Sequence, residues 1–309
     1  MKNSQKRTCC DISLIHQDEF HDFCRNGNTS SFIRNRKMPL KDLLFTMTNR
    51  RGITLSLELR NYMKTAHPGM GISKPGYLKQ RMKLNPLAFY EPCRHHNRNF
   101  YAEPGFSTFH GYLALAADGS GINIPTTKET LEEFGTSSRK GTKPQASIGL
   151  GCLYDVMDRM VLESDCRKCK FDGMRLAEEQ IDRVPETVGI SQPFLVVMDR
   201  GYPSTPVFIR MMEKNIPFLV RPKSSDYKKE QAALPASDTW VDICLDKDRI
   251  RHYQGTDIDR RMEGLGSITL RMVKVPLPEN QEEVPITNLP SETFDCQQIA
   301  ELYHKRYKA

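Results

Sequence analysis

Two aspartates stand where a carboxylate is costly to keep. Asp118 ends the apolar run "YLALAA" and Asp199 ends "PFLVVM", and a glycine follows each within two residues, Gly119 and Gly201. An acidic side chain leaving a buried strand loses hydration unless something pairs with it, so such positions are more often functional than average. Should the two strands be neighbours, the pair can hold a divalent metal through oxygen ligands. Mg²⁺ suits such a site because it accepts one or two carboxylates and keeps waters and substrate phosphates as its other ligands. Two ions a few Å apart can activate an attacking hydroxyl and stabilise a leaving oxygen in phosphodiester chemistry. Taken singly, each aspartate is explained as well by a turn or a helix cap.

Other reactive side chains offer less. Cys166 and Cys169 form a CxxC without a second pair or an HxxxH to complete a tetrahedral zinc site, so the pair reads as incidental. His95 and His96 are adjacent, which does not aim both at one ion, and they read as part of a surface loop. The nine cysteines are odd in number and scattered, which fits reduced thiols better than disulfides.

The elements that must position the aspartates follow from periodicity. "FHGYLALAADGSGINIP" reads as a buried strand, a turn at Asp118-Gly119-Ser120 and a short second strand. "ASIGLGCLYDVMDRMVLESDC" reads as a hairpin turning around Asp155 to Asp158, and "MRLAEEQIDRV" as a helix. "QPFLVVMDRGYPS" is a buried strand ending in an Asp-Arg-Gly turn, then come a helix, "TPVFIRMMEKN", and a strand, "IPFLVRPK". This order calls for a mixed α/β sheet covered by helices. Residues 222 to about 284 are polar and turn-rich with strand-like pieces such as "SITLRMVKV", a β-rich insertion. The last stretch returns to a strand and a helix capped near Ser291 or Asp295.

Before Pro104 the pattern is helical. "LKDLLFTMTNRRGITLSLELRNYM" reads as two short helices broken by Gly52, and "GISKPGYLKQRMKLNPLAFYEPC" as a turn, a basic helix carrying Lys79 and Arg81, and a helix opened by Asn85-Pro86. Basic runs such as "FIRNRKMPLK" and "YLKQRMK" concentrate here in a chain of formal charge +7, as on a phosphate-contacting surface. A basic face that merely meets solvent has the same composition. With 309 residues, 38% hydrophobic and 27% charged, the expectation is two domains, or one large core with an added module. No apolar run of membrane-spanning length and no secretory signal is present, so no membrane partner is expected and the cytoplasm is the default.

"ALAADGSGINIP", "LVVMDRGYPS", "FLVRPK" and "ITNLPSETFDCQQIAELYHKRYKA" together resemble DDE transposases of bacterial insertion sequences, of the IS-four type. The resemblance covers most of the chain. The second aspartate motif, Asp-x-Gly-Tyr, is matched by Asp199, Gly201 and Tyr202. The third, Tyr-x2-Arg-x3-Glu-x6-Lys on a helix after a β-rich insertion, is matched at Tyr303 and Arg306, and its Glu falls just past Ala309. Tyr307 departs from the Trp common in the family. The resemblance implies an RNase H-like fold in which Asp118, Asp199 and that Glu bind two Mg²⁺ (or Mn²⁺) ions. Its expected organisation is a helical DNA-binding region over 1–104, a first core part over 105–221, the insertion over 222–284 and the start of the last core segment over 285–309. Arg200 and Tyr202 would contact DNA near the cut, Tyr303 and Arg306 its terminal phosphates, and Arg221 and Lys223 its backbone. Partners would be the terminal inverted repeats and target DNA, with a homodimer on DNA. Without the third carboxylate, the expectation is a truncated, inactive transposase, or a DNA-binding fragment acting without catalysis.

Overall fold

The computed structural model describes residues 2–33, 37–138, 141–246, 249, 262, 264–277 and 281–308. The chain divides into two compact units, 1–102 and 103–309.

The first unit is all helical: α1 (Lys2–Ile15), α2 (Asp18–Phe23), α3 (Leu40–Thr48), α4 (Leu55–Ala66), α5 (Lys74–Arg81), a 3-10 turn (Pro86–Phe89) and α6 (Tyr90–Ala102). Boundaries follow local chemistry. Ser73 accepts from the Gly76 N–H at the start of α5, and Asn85 accepts from Leu87 N–H at the start of the 3-10 turn. Gly52, between α3 and α4, has φ of +75°, a conformation that favours glycine. The core gathers Phe20, Cys24, Leu43, Leu59, Met63 and Tyr77. Burial pushes the Cys24 thiol up to about 12, so it stays protonated and packs as a small apolar side chain. His95 and His96 lie on α6, not in a loop. Their Nδ1 atoms meet the two carboxylate oxygens of Asp11, at 2.9 and 2.6 Å, a partner 84 residues away that sequence spacing cannot reveal.

The second unit is built on one eight-stranded sheet. Its elements are β1 (Leu113–Asn123), α7 (Lys128–Phe134), β2 (Ser147–Asp155), β3 (Met160–Lys168), α8 (Gly173–Val188), β4 (Phe194–Met198), α9 (Thr205–Glu213), β5 (Phe218–Val220), α10 (Lys228–Ala232), β6 (Asp238–Cys244), β7 (Ser267–Val273), β8 (Val275–Leu277), β9 (Gln281–Glu283), β10 (Ile286–Thr287) and α11 (Cys296–Lys308). The strand order is β3-β2-β1-β4-β5-β10-β7-β6, with β8 and β9 forming a separate hairpin. β1, β4 and β5 run parallel and the other pairs are antiparallel. This mixed sheet with flanking helices is RNase H-like. β6 and β7 extend it from within the stretch read as an insertion, whose residues 250–261 lie outside the described ones.

One expected turn is absent. β1 runs unbroken through Asp118-Gly119-Ser120, because β2 pairs with it rung by rung from Leu115↔Asp155 to Asn123↔Ser147. A complete ladder satisfies the backbone groups that a glycine-rich stretch would otherwise turn away to solvate. Burial changes at the same place: residues 113–117 are buried and 118–123 exposed.

Glycines on β2 let side chains lie on the sheet itself. A Cβ at Gly149 would stand 2.2 Å from the Phe171 ring, and one at Gly151 2.4 Å from Leu176. At the far side of the sheet, Arg271 on β7 is fully buried. It donates to both carboxylate oxygens of Asp238, at 2.7 and 2.6 Å, and to the carbonyls of Leu289 and Phe294, at 3.2 and 2.7 Å. That guanidinium ties β6 and β7 to the segment leading into α11. Asp295 caps α11: its carboxylate accepts from Gln298 N–H, and the Gln298 side chain accepts from Asp295 N–H. Among the described residues no helix is long and apolar enough to cross a membrane.

Candidate active site

Strand alternation aims both aspartates at one helix. Side chains at i, i+2 and i+4 share a sheet face, so Asp118 continues the row Ala114, Ala116 and Asp199 continues the row Leu195, Val197. Those four apolar residues pack with Ile299, Leu302 and Tyr303 of α11. On α11, Arg306 follows Tyr303 and Leu302 by three and four positions, on the same helix face. All three rows therefore pass from apolar to charged together. The parallel register pairs Ala117 with Met198, which places Asp118 and Asp199 beside each other at the next step.

Arg306 lies between them. One guanidinium nitrogen is 3.5 Å from Asp118 Oδ1 and the other 3.4 Å from Asp199 Oδ2, with the arginine side chain 6% exposed and the aspartates 58% and 39%. Arg306 Nη2 also donates to Ala117 O at 3.4 Å, and Tyr154 donates to Arg306 O at 3.1 Å. Asp199 Oδ1 accepts from Arg200 N–H at 2.7 Å and Asp199 O from Tyr202 N–H at 2.9 Å, which fixes the turn after β4.

A hollow of about 540 Å³ is lined by both carboxylates, Asp118 and Asp199, together with Gly119, Phe171, Met174 and Tyr202 among others. Tyr202 is buried. Burial and the negative charge of Asp118 push its phenol up to about 12, with Arg306 opposing and Asp199 reinforcing. It is therefore a neutral hydroxyl near neutral pH, able to donate and unable to act as a resident base.

The remaining arginines form a second cluster. Glu283 on β9 ion-pairs with Arg221 and meets Arg200 Nη2 at 3.2 Å. Arg221 donates to the Tyr303 hydroxyl at 2.9 Å, with its guanidinium 5.5 Å from the Tyr303 ring centre. Tyr303 is 2% exposed, so a direct contact with a DNA phosphate would require this packing to open. Arg200 and Lys223 are exposed, and Lys79 and Arg81 are exposed on α5 of the helical unit. Sequence reasoning missed Glu283, which sits in the acidic stretch "ENQEEV" with nothing to distinguish it from a solvated loop, and Phe171, whose only signal is the glycine alternation facing it.

Asp118, Asp199, Tyr202, Arg200, Arg221, Tyr303 and Arg306 thus converge on one region of the sheet. Among the described residues, no group of three or more His, Cys, Asp or Glu side chains could hold a metal ion.

No curated protein matches the chain. A solved structure of piggyBac transposase, a synaptic complex with hairpin DNA, is similar in fold with a TM-score of 0.50 at 11% identity. The similarity covers 97% of this chain and 65% of that one, so the chain spans less than two thirds of the longer protein. The family model described as a transposase DDE domain matches residues 109–309, a span that begins just before β1 and takes in both aspartates and α11. With most of its length inside that match, the chain belongs to the DDE transposase family.

Proposed function

We propose that residues 103–309 form the catalytic core of a DNA transposase of the insertion-sequence type, which cuts the ends of its element and joins them to target DNA. Asp118 and Asp199 are the cation ligands in this reading. The observation that carries it is their placement side by side on parallel neighbours β1 and β4, bridged by a single positive group. The donor set fits a hard divalent cation: both groups offer carboxylate oxygens and both are partly exposed. Bound there, such ions supply activation of the attacking hydroxyl and neutralisation of the leaving oxygen.

The chain's own residues do the rest. Asp118 is held in β1 by the ladder to β2, where it pairs with Cys152, and Asp199 is oriented by the Arg200 N–H. Tyr202 keeps its proton and presents a donor beside Gly119. Arg200 and Lys223 meet DNA phosphates at the rim of this site; Lys79 and Arg81 serve the helical unit's own contact with DNA, by which that unit recognises the element's ends. Arg221, stacked on Tyr303, reaches the same backbone once Glu283 yields it.

The chain is expected to bind duplex DNA through these basic side chains. A second reading, a DNA-binding protein that regulates an element without catalysis, is favoured by the exposed Lys79 and Arg81 on the basic helix α5. Fluorescence anisotropy with a labelled duplex tests the first reading. Binding should weaken steeply with salt, and Mn²⁺ should tighten it in the unmodified chain but not in an Asp118→Asn, Asp199→Asn double variant. DNA binding indifferent to Mn²⁺ in both would leave only the second reading.

A further inference from the structure

Arg306 reaches the carboxylate pair from a buried position. Its side chain is far less exposed than either aspartate, yet its two terminal nitrogens address one carboxylate each. Two carboxylates on adjoining strands repel and raise each other's cost of ionisation unless a cation intervenes. A guanidinium withdrawn from water in turn needs anions close by. Each side thus answers the other's requirement, and α11 fixes the arrangement by burying Leu302 and Tyr303 one turn before the arginine.

We infer that Arg306 is a built-in counter-ion standing where divalent cations load, and that loading exchanges the guanidinium for the ions. The inference rests on the reading of Asp118 and Asp199 as cation ligands. The contacts are suited to exchange: at 3.4–3.5 Å they are long for charge-assisted bonds, and the carboxylates keep open faces toward solvent. Once displaced, the guanidinium is a planar fork beside the loaded ions, the shape that binds phosphate oxygens in pairs. Cation loading would then release a phosphate-binding group into the site, and the DNA backbone would find it available only when the ions are in place.

The test is Mn²⁺ binding to the 309-residue chain, followed by the electron paramagnetic resonance of unbound Mn²⁺. Arg306→Gln should bind Mn²⁺ at least tenfold more tightly than the unmodified chain, Arg306→Lys should fall between them, and the Asp118→Asn, Asp199→Asn variant should not bind. A measurement on the unmodified chain covers the case in which the glutamine variant fails to fold. The Arg306 guanidinium ¹⁵N resonances should shift on saturation with diamagnetic Mg²⁺. Equal or weaker Mn²⁺ binding by Arg306→Gln, or guanidinium resonances unmoved at saturating Mg²⁺, overturns the inference. If binding is equal but still lost in the double Asn variant, the cation-site reading stands and only the exchange fails. Absence of binding in every variant removes both.

Discussion

Two buried arginines, one on the sheet and one on the helix packed against it, make opposite use of the same chemistry. Arg271, at the β6–β7 end, is sealed from solvent and donates at 2.6 and 2.7 Å to one carboxylate and at 2.7 and 3.2 Å to two carbonyls. Arg306, at the β1–β4 centre, divides its charge between two carboxylates at 3.4 and 3.5 Å, both of them open to water. The first is saturated and holds α11 to the sheet. The second is loosely held on partners that solvent can compete for, which is the arrangement a loadable site needs. Both guanidinium groups are buried; the geometry and exposure of their anions are what differ.

Breaking the tight end should have the largest effect. Arg271→Ala leaves two carbonyls without their donor and Asp238 with only the Cys296 thiol, at 3.4 Å, and removing one partner of a buried pair costs about 3–5 kcal/mol. Urea unfolding should show that loss together with looser docking of α11. Next, Gly149→Ala places a methyl against Phe171, an overpacking that costs about 1–3 kcal/mol. It should also disturb the hollow beside Asp118, visible as altered Phe171 ring signals in NMR spectra. Arg306→Gln should cost less stability in the absence of metal, about 1 kcal/mol, because its partners remain hydrated. A loss as large as that of Arg271→Ala would erase the distinction between the two.

The smallest expected effect concerns pH. Hydrogen bonds from Arg271 hold the Asp238 carboxyl below its ordinary value, outweighing its partial burial. A carboxyl depressed in the folded state stabilises the fold above its unfolded pKa, about 3.9 for Asp, and that contribution disappears as pH falls through the lower folded value. The gap in melting temperature between the unmodified chain and Asp238→Asn should therefore be widest near neutrality and close as pH drops below about 4. A gap constant down to the lowest pH would show that the pair's charge contributes nothing.

What was legible in the sequence tracks how local each signal is. An apolar run ending in a charged residue marks Asp118 and Asp199, and the hairpin of β2 and β3 shows in its alternation and turn. The unbroken passage of β1 through Asp118-Gly119-Ser120 does not, because glycine reads as a turn until a partner strand is known. Arg271 follows Ser267 and Thr269 on what period-2 reading takes as the polar face, and it is buried only because residues 289–294 cover it. Glu283 and the Asp11 partner of His95 and His96 were hidden for the same reason: their contacts lie 62 or more residues away along the chain.

Cation loading between Asp118 and Asp199 is tested by a crystal of the chain soaked in Mn²⁺ and measured at the manganese absorption edge. An anomalous peak is expected between Asp118 and Asp199, with the Arg306 guanidinium moved off both carboxylates. Saturating Mn²⁺ with no peak there, and Arg306 still bridging the pair, would contradict it.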